Sequence, residues 1–275
     1  MKNLLLPTDF SEEADNAFAL ALQLAKKNNA QLHLLHCATV PIDWINLSNQ
    51  VKMYQDINKK INHAQYQLNM LRENAEKEGI KTTAVLSYQD LLKTINQDIE
   101  DKHIDLLIMG SKGASGFKEF LIGSNTEKLI RHAGCPVLTV KEAISLQDVK
   151  KILFPTDLAP NQIMVAKYAA RWAELLGAKL CMAKLNTHYQ WIESLKFVKE
   201  IETFASQCNI NSFEAMTFDT DYLEDGIIEA ADKVKADLIV MGTHHRTGVA
   251  HIIAGSVAED VANHAKRLIL TVGLE

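Results

Sequence analysis

Gly110, Gly113, Gly123 and Ser124 follow one another as Gly-x2-Gly-x9-Gly-Ser, between an apolar run and a polar helix start. A loop of this kind can wrap its backbone N–H groups around an anion. Leu106-Leu107-Ile108-Met109 reads as a short buried strand, and Gly110 is expected to let the chain leave it in a conformation that a side chain would resist. Ser124-Asn125-Thr126-Glu127 has a capping-box pattern, with Ser124 predicted at the N-cap. The orphan N–H groups and the helix dipole at such a terminus attract an anion by about 0.3–1 kcal/mol, and by up to about 2 when partly buried. Gly113 would allow close backbone approach, the Ser124 and Thr126 hydroxyls would donate further hydrogen bonds, and Lys112 adds a cation. The same glycines also suit a plain structural turn, so the choice rests on the elements around them.

Those elements occur twice. Lys2-Asn-Leu-Leu-Leu-Pro-Thr-Asp9 returns as Lys150-Lys-Ile-Leu-Phe-Pro-Thr-Asp157, and each copy leads into an amphipathic helical stretch and then a β-rich run. Asp105-Leu-Leu-Ile-Met-Gly110 is answered by Asp237-Leu-Ile-Val-Met-Gly242, and Gly123-Ser124 by Gly255-Ser256. The same landmarks in the same order predict two copies of one domain, spanning 1–141 and 150–275, with a short polar stretch from Lys141 to Val149 between them. Asp9 and Asp157 each follow an apolar strand through a Pro-Thr pair that should end the regular ladder, which puts each carboxylate at its strand's carboxyl end. In an open α/β sheet ligands bind at that edge, where strand order reverses. Asp9 also fits as the N-cap of the helix beginning near Ser11.

Both halves resemble the universal stress protein family. The likeness rests on the opening Pro-Thr-Asp, the Met-Gly-x2-Gly-x9-Gly-Ser loop and the ending Arg131-His-Ala-Gly-Cys-Pro-Val-Leu-Thr-Val140, and it covers essentially the whole chain as a tandem pair. The resemblance implies two Rossmann-like (adenine nucleotide alpha hydrolase-like) α/β domains. Each would be a five-stranded parallel sheet of order 3-2-1-4-5 with helices on both faces. In the family's nucleotide-binding members an adenine nucleotide lies across the strand-one/strand-four edge. Carried over, Pro7, Thr8 and Asp9 would meet the adenosine, and the backbone at Cys37 would edge the adenine. Gly110, Gly113, Gly123, Ser124, Asn125 and Thr126 would hold ribose and phosphates, with Met109 and Lys112 beside them. The implied ligand is ATP or another adenine nucleotide, with Mg allowed alongside it. Members often pair through the fifth strand, so the two halves are expected to pair with each other, and the resemblance also allows a homodimer and an unknown protein partner.

The second copy departs from the pattern. His245 stands where the first copy has Gly113, and Ala258 where it has Thr126, so the site of Asp157, Gly242, His245, Gly255 and Ser256 is expected to be degenerate. The repeat is offset by 148 residues at its start and by 132 at the strand-four motif, so the second copy is 16 residues shorter. The extra residues of the first copy include Pro41, Ile42, Trp44, Ile45 and Tyr54, an apolar cluster suited to packing or to covering the site.

Composition narrows the reading. A net charge of −5 without a basic run argues against nucleic acid as a partner. The absence of a hydrophobic leader or long apolar span predicts a protein neither exported nor in a membrane, and a cytoplasmic location. Cys37, Cys135, Cys181 and Cys208 form no Cys-x-x-Cys pair, as expected of reduced thiols in a cytoplasm. His244, His245 and His251 have no carboxylate or thiol at ligand spacing, and His33 and His36 fall on opposite faces of a strand, so no metal site is predicted. The loop lacks the Gly-x4-Gly-Lys-Ser/Thr pattern, and no residue offers to orient a nucleophile, which argues against an enzyme although slow ATP hydrolysis is compatible. The expectation is an adenine-nucleotide sensor or switch. The alternative is a nucleotide-free structural or interaction protein of the stress response.

Overall fold

The structure is a computed structural model that describes residues 1–38, 51–111, 123–188, 191–244 and 257–274. The first half runs β1 (Asn3–Pro7), α1 (Glu12–Asn28), β2 (Gln31–Cys37), α2 (Val51–Lys77), β3 (Thr82–Ser87), α3 (Leu91–Lys102), β4 (Leu106–Gly110), α4 (Ser124–His132) and β5 (Val137–Val140). The second repeats it as β6 (Lys151–Pro155), α5 (Ile163–Leu176), β7 (Lys179–Asn186), α6 (Ser194–Cys208), β8 (Glu214–Asp219), α7 (Leu223–Val234), β9 (Leu238–His244), α8 (Val257–His264) and β10 (Leu268–Leu274). The 27-residue α2 faces a 15-residue counterpart in α6, which accounts for most of the length difference between the copies.

The strands do not form two separate sheets. They join in one ten-stranded sheet of order β3-β2-β1-β4-β5-β10-β9-β6-β7-β8. Within each half the order is 3-2-1-4-5 and every pairing is parallel, while β5 and β10 meet antiparallel at the centre. Leu138 pairs with Leu270, its own counterpart in the repeat, so an internal two-fold axis passes between them. The expected pairing of the halves through their fifth strands is therefore built into the sheet itself.

Parallel strands must be covered on both faces, and here they are. Leu4, Leu6, Ile108, Phe154 and Val240 face one apolar cluster with α1, α2, α5 and α6; Leu5, Leu107, Leu153 and Ile239 face the other, with α3, α4, α7 and α8. Both clusters run through the central seam. The segment read as a polar linker is packed: Leu146 and Val149 are buried, and the Gln23 side-chain oxygen accepts from Leu146 N at 2.9 Å. Two apolar side chains spaced three residues apart in a short 3-10 turn are enough to pin it to α1.

Local chemistry sets the ends of the elements. Ser11 caps α1 by accepting from Ala14 N, with Glu12, Glu13 and Asp15 in the first turn and Lys26 and Lys27 in the last, which suits the helix dipole. Gly79, at φ 79°, ends the polar α2. The Pro7-Thr8 pair does not stop the ladder as expected: Pro7 still lies opposite Leu35, and Thr8 N donates to Leu35 O at 2.8 Å. Proline removes only its own N–H, and the next residue's N–H still reaches β2. Each half also anchors its first strand from below. The Asp105 carboxylate accepts from the backbone N–H groups of Lys2 and Asn3, and Asp237 does the same for Lys150 and Lys151 at 2.8 and 2.9 Å.

Candidate functional site

A cleft of about 460 Å³ opens at the carboxyl edge of the first half, where β1 and β4 lie side by side and their connections leave toward opposite sides. Pro7, Thr8 and Asp9 form one wall, Cys37 the next, and Met109, Gly110, Gly123, Ser124, Asn125 and Thr126 the opposite one. Ten of the twelve residues singled out in the sequence thus border one space. The other two, Lys112 and Gly113, lie outside the described residues, as do His245, Gly255 and Ser256 of the second copy and Pro41, Ile42, Trp44 and Ile45.

The β1 end is held by a dense turn. Thr8 Oγ1 accepts from Phe10 N at 3.0 Å, and Thr8 O is 2.7 Å from His36 Nδ1. Phe10 sits in the left-handed region at φ 63° with its ring against His36, centroids 4.6 Å apart. Leu158 repeats that backbone conformation at φ 64°, and Thr156 Oγ1 repeats the hydrogen bond to it. A strained residue present in both copies belongs to the fold, turning the chain from strand into helix, rather than to the site alone. Asp9 is not the N-cap of α1. Its Oδ1 accepts from Ser11 N at 3.1 Å and Ser11 Oγ at 2.6 Å, so it braces the serine that caps the helix, and Asp157 likewise accepts from Ala159 N at 3.1 Å.

Gly110 is required, but for a different reason from the one expected. Its backbone is ordinary; what it allows is contact with α1, since a Cβ there would stand 2.7 Å from Glu13 C and 2.8 Å from Glu13 O. The first turn of α1 rests on the end of β4 and contributes Ala14 to the cleft wall.

The helix at the far wall also differs in detail from the capping-box reading. Gly123 is the N-cap of α4 and makes no side-chain cap, while Ser124 is already the first helical residue. Gly123 N is used by Ser111 O at 2.8 Å and Gly123 O accepts from Glu127 N at 3.0 Å, which fixes the boundary one residue earlier. Thr126 does not offer its hydroxyl to a ligand: it is buried and donates to Gly110 O at 3.2 Å, latching the first turn of α4 to β4. Ser124 and Asn125 remain exposed at the mouth, on the turn whose N–H groups have no partner within the helix.

Sequence reasoning missed the third wall. Ala38, Tyr88, Gln89, Asp90 and Leu91 border the cleft from the β2 and β3 side, together with His36. Nothing in the spacing of these residues marks them; they are recruited because β2 and β3 end at the same sheet edge. Asp90 caps α3 through Lys93 N at 3.0 Å. Burial pushes the Cys37 thiol above its ordinary value, against the smaller opposite effect of Thr94 and Ser87. His33, by contrast, points away from the cleft to Thr83 Oγ1 at 2.8 Å, and burial, aided by Lys102, lowers its pKa. Among the described residues no group of His, Cys, Asp or Glu is arranged to hold a metal ion.

At the crossover of the second half the described residues are arranged differently. Leu274, on an extension of β10, lies against Gly242 so closely that a Cβ there would be 2.8 Å from its Cδ2. Leu274 crowds the face of Gly242 that corresponds to the resting place of α1's first turn on Gly110. Ala258 is buried in the apolar cluster and has no hydroxyl to latch α8 to β9 as Thr126 latches α4.

Comparison with known proteins agrees with the repeat. The profile of the Universal stress protein family matches residues 1–141 and 219–272. A universal stress protein of Synechocystis is 23% identical over 303 residues, covering 98% of this chain and 99% of that protein. One from Methanocaldococcus jannaschii is 28% identical over 142 residues, covering 51% of this chain and 82% of its own length. The crystal structure of a universal stress protein from Archaeoglobus fulgidus superposes with a TM-score of 0.75 at 20% identity, covering 98% of both chains. A functionally unknown protein from Pseudomonas aeruginosa does so at 0.72 and 20%, covering 100% of this chain and 93% of the other. At that identity the likeness of the two structures is one of fold.

Proposed function

The chain belongs to the universal stress protein family, and from that premise we propose that its first half binds an adenine nucleotide, ATP foremost, as a sensor or switch. The observation that carries the proposal is the polarity of the cleft. The carboxylates of Asp9 and Asp90 border it from the β1 and β3 sides, and the exposed N-terminal turn of α4 at Ser124 and Asn125 borders it from the β4 side. A nucleotide, with anionic phosphates and with ribose hydroxyls and an exocyclic amine as donors, offers a partner to both kinds of group. A volume near 460 Å³ lies in the range of small-molecule sites.

Bound ATP would supply a polyanionic tail and a flat purine. The backbone N–H groups at Ser124 and Asn125 would receive the phosphates, helped by the helix dipole. Thr126 acts at one remove, because its bond to Gly110 O holds that turn against the strand. Pro7, Thr8 and Cys37 would line the purine, and the carboxylate of Asp9 or Asp90 would accept from a ribose hydroxyl or the amine. The sequence lacks the Gly-x4-Gly-Lys-Ser/Thr loop of phosphoryl-transfer enzymes, and we read occupancy rather than turnover as the signal. We read 1–141 and 150–275 as two domains, with the second kept as the structural partner of the first. Calorimetry with ATP tests this: one site per chain is expected, and two equal sites would overturn the asymmetry. Mass spectrometry of freshly purified, denatured protein is expected to release adenine nucleotide. Neither binding nor co-purified nucleotide would instead favour the nucleotide-free interaction protein.

A further inference from the structure

The second half has a different opening at the carboxyl ends of its own strands, which the antiparallel β5–β10 pairing turns to the opposite edge of the sheet from the first cleft. A cleft of about 620 Å³ lies at the carboxyl ends of β7 and β8, displaced outward from the β6–β9 crossover. Trp191 and Tyr222 stand on it, 68% and 66% exposed, where large aromatic side chains are ordinarily covered. Leu195, in the first turn of α6, is 73% exposed, and Val198 and Leu223 are also open to solvent. Half of the exposed large apolar side chains among the described residues belong to this one end of the sheet. Concentration of such side chains is the mark of a surface that another molecule covers.

The support beneath them is rigid. Asn186, buried at the end of β7, donates through Nδ2 to Ile192 O at 3.1 Å and Asp219 Oδ1 at 3.0 Å, and accepts from Ile192 N at 3.0 Å. One amide therefore ties the residue after Trp191 to both strands, so the indole is presented on a fixed base. Among the described residues that border the cleft the charged ones are Asp219, Asp221, Asp225 and Glu229, with no lysine or arginine, while Lys196 and Lys199 stand beside Leu195 and Val198 on α6. His188 bonds to Asp221 at 3.1 Å, and Lys233 approaches Glu229 at 4.0 Å from outside the lining.

We propose that the exposed apolar surface around Trp191 and Tyr222 docks a basic, apolar-anchored segment of another protein, whose lysine or arginine side chains meet the carboxylates of the cleft. Aromatic faces beside carboxylates favour cationic side chains twice over, through the ring quadrupole and through charge. Trp and Tyr on a fixed base with a charged rim have the composition of an interaction hot spot. This surface lies across the sheet from the nucleotide cleft, so the proposal is independent of the nucleotide reading.

The test uses the full chain and a fluorescently labelled amphipathic peptide of lysine and leucine, with a glutamate and leucine peptide as control. The basic peptide is expected to raise anisotropy. Trp191→Ala and the pair Asp221→Asn with Asp225→Asn are each expected to weaken its affinity by roughly tenfold. All three positions are exposed, so thermal unfolding followed by circular dichroism should be unchanged. No binding, equal binding of the acidic peptide, or equal binding by the variants would overturn the proposal. Binding of spermidine without the peptide would overturn it too, in favour of a small-cation site.

Discussion

Replacing Asn125 by Asp isolates the electrostatic part of the nucleotide proposal. The side chain is exposed on the second helical residue of α4 and borders the cleft, and the change is nearly isosteric, so packing is untouched. A carboxylate in the first turn suits the helix dipole by about 0.3–1 kcal/mol, so the melting temperature should hold or rise. Toward a phosphate the same charge is repulsive. At about 6 Å in a half-open site of effective dielectric ~20, two unit charges repel by about 3 kcal/mol. Between full screening over a Debye length of about 8 Å and none, roughly 1.3–2.8 kcal/mol remains, or a loss of affinity of about ten- to a hundredfold. Calorimetry of wild type and Asn125→Asp with ATP and with adenosine reads this directly. ATP should weaken by that factor, less so at high salt, while adenosine, which has no phosphate, should bind as before. Equal ATP affinity in the variant would place the anion elsewhere. Equal loss of adenosine would mean that the substitution disturbs the whole cleft and that the polarity argument is wrong.

Other substitutions probe how the cleft is held. Gly110→Ala drives a Cβ into the backbone of Glu13, which cannot move without α1, and should cost about 1–3 kcal/mol in urea unfolding. For Gly242→Ala the nearest atoms are those of the Leu274 side chain, and its smaller cost should fall in a background carrying Leu274→Ala. Arg131 bonds Glu259 in bidentate fashion across the seam, and Glu259 is 2% exposed. Arg131→Ala should therefore destabilise by about 1–2 kcal/mol, and adding Glu259→Ala should recover part of that in a double-mutant cycle. Burial alone would raise the pKa of Asp105, but the backbone N–H groups of Lys2 and Asn3, with the N-terminal charge and Arg171, hold it below the ordinary carboxylate value. A folded-state pKa below the unfolded one contributes stability above the unfolded value of about 3.9, lost as pH falls through the folded value. Asp105→Asn should flatten that acid limb of the stability curve and leave its neutral plateau lower.

Much of this was legible in the sequence, because repeats and glycines are local signals. Each strand's apolar run and each Pro-Thr-Asp turn reports on its own neighbourhood, and the strand order follows from the repeat and the family likeness together. What escaped was set by partners distant in sequence. Gly110 was recognised as necessary, but the helix that makes it so is nearly a hundred residues earlier. Asp105 and Asp237 were noticed only as landmarks, and their role in gripping the first strand of each half needs both ends of a sheet to be in place. Thr126 was read as a donor to the ligand, since nothing in Ser-Asn-Thr-Glu says that its hydroxyl faces Gly110 O. Tyr88, Gln89 and Asp90 have no motif at all and join the site through topology.

The seam is a place where the two halves depart from their internal symmetry. The two-fold axis between Leu138 and Leu270 relates α4 to α8, so it maps the Arg131–Glu259 pair onto residue 263 and Glu127. The residue at 263 is Asn, which cannot answer Glu127 as Arg131 answers Glu259; its carbonyl instead accepts from Lys141 Nζ at 2.7 Å. One arm of the symmetric contact is kept and the other replaced. The surviving arm joins the last turn of α4, whose first turn borders the nucleotide cleft, to the first turn of α8. A shift of α4 along its axis on ligand binding would have to move α8 or break a charged pair whose carboxylate is out of water, and the second outcome is the costlier one. The second half is thus tied to a helix that borders the cleft through this pair as well as through the paired strands β5 and β10, and any coupling along it would act equally in both directions.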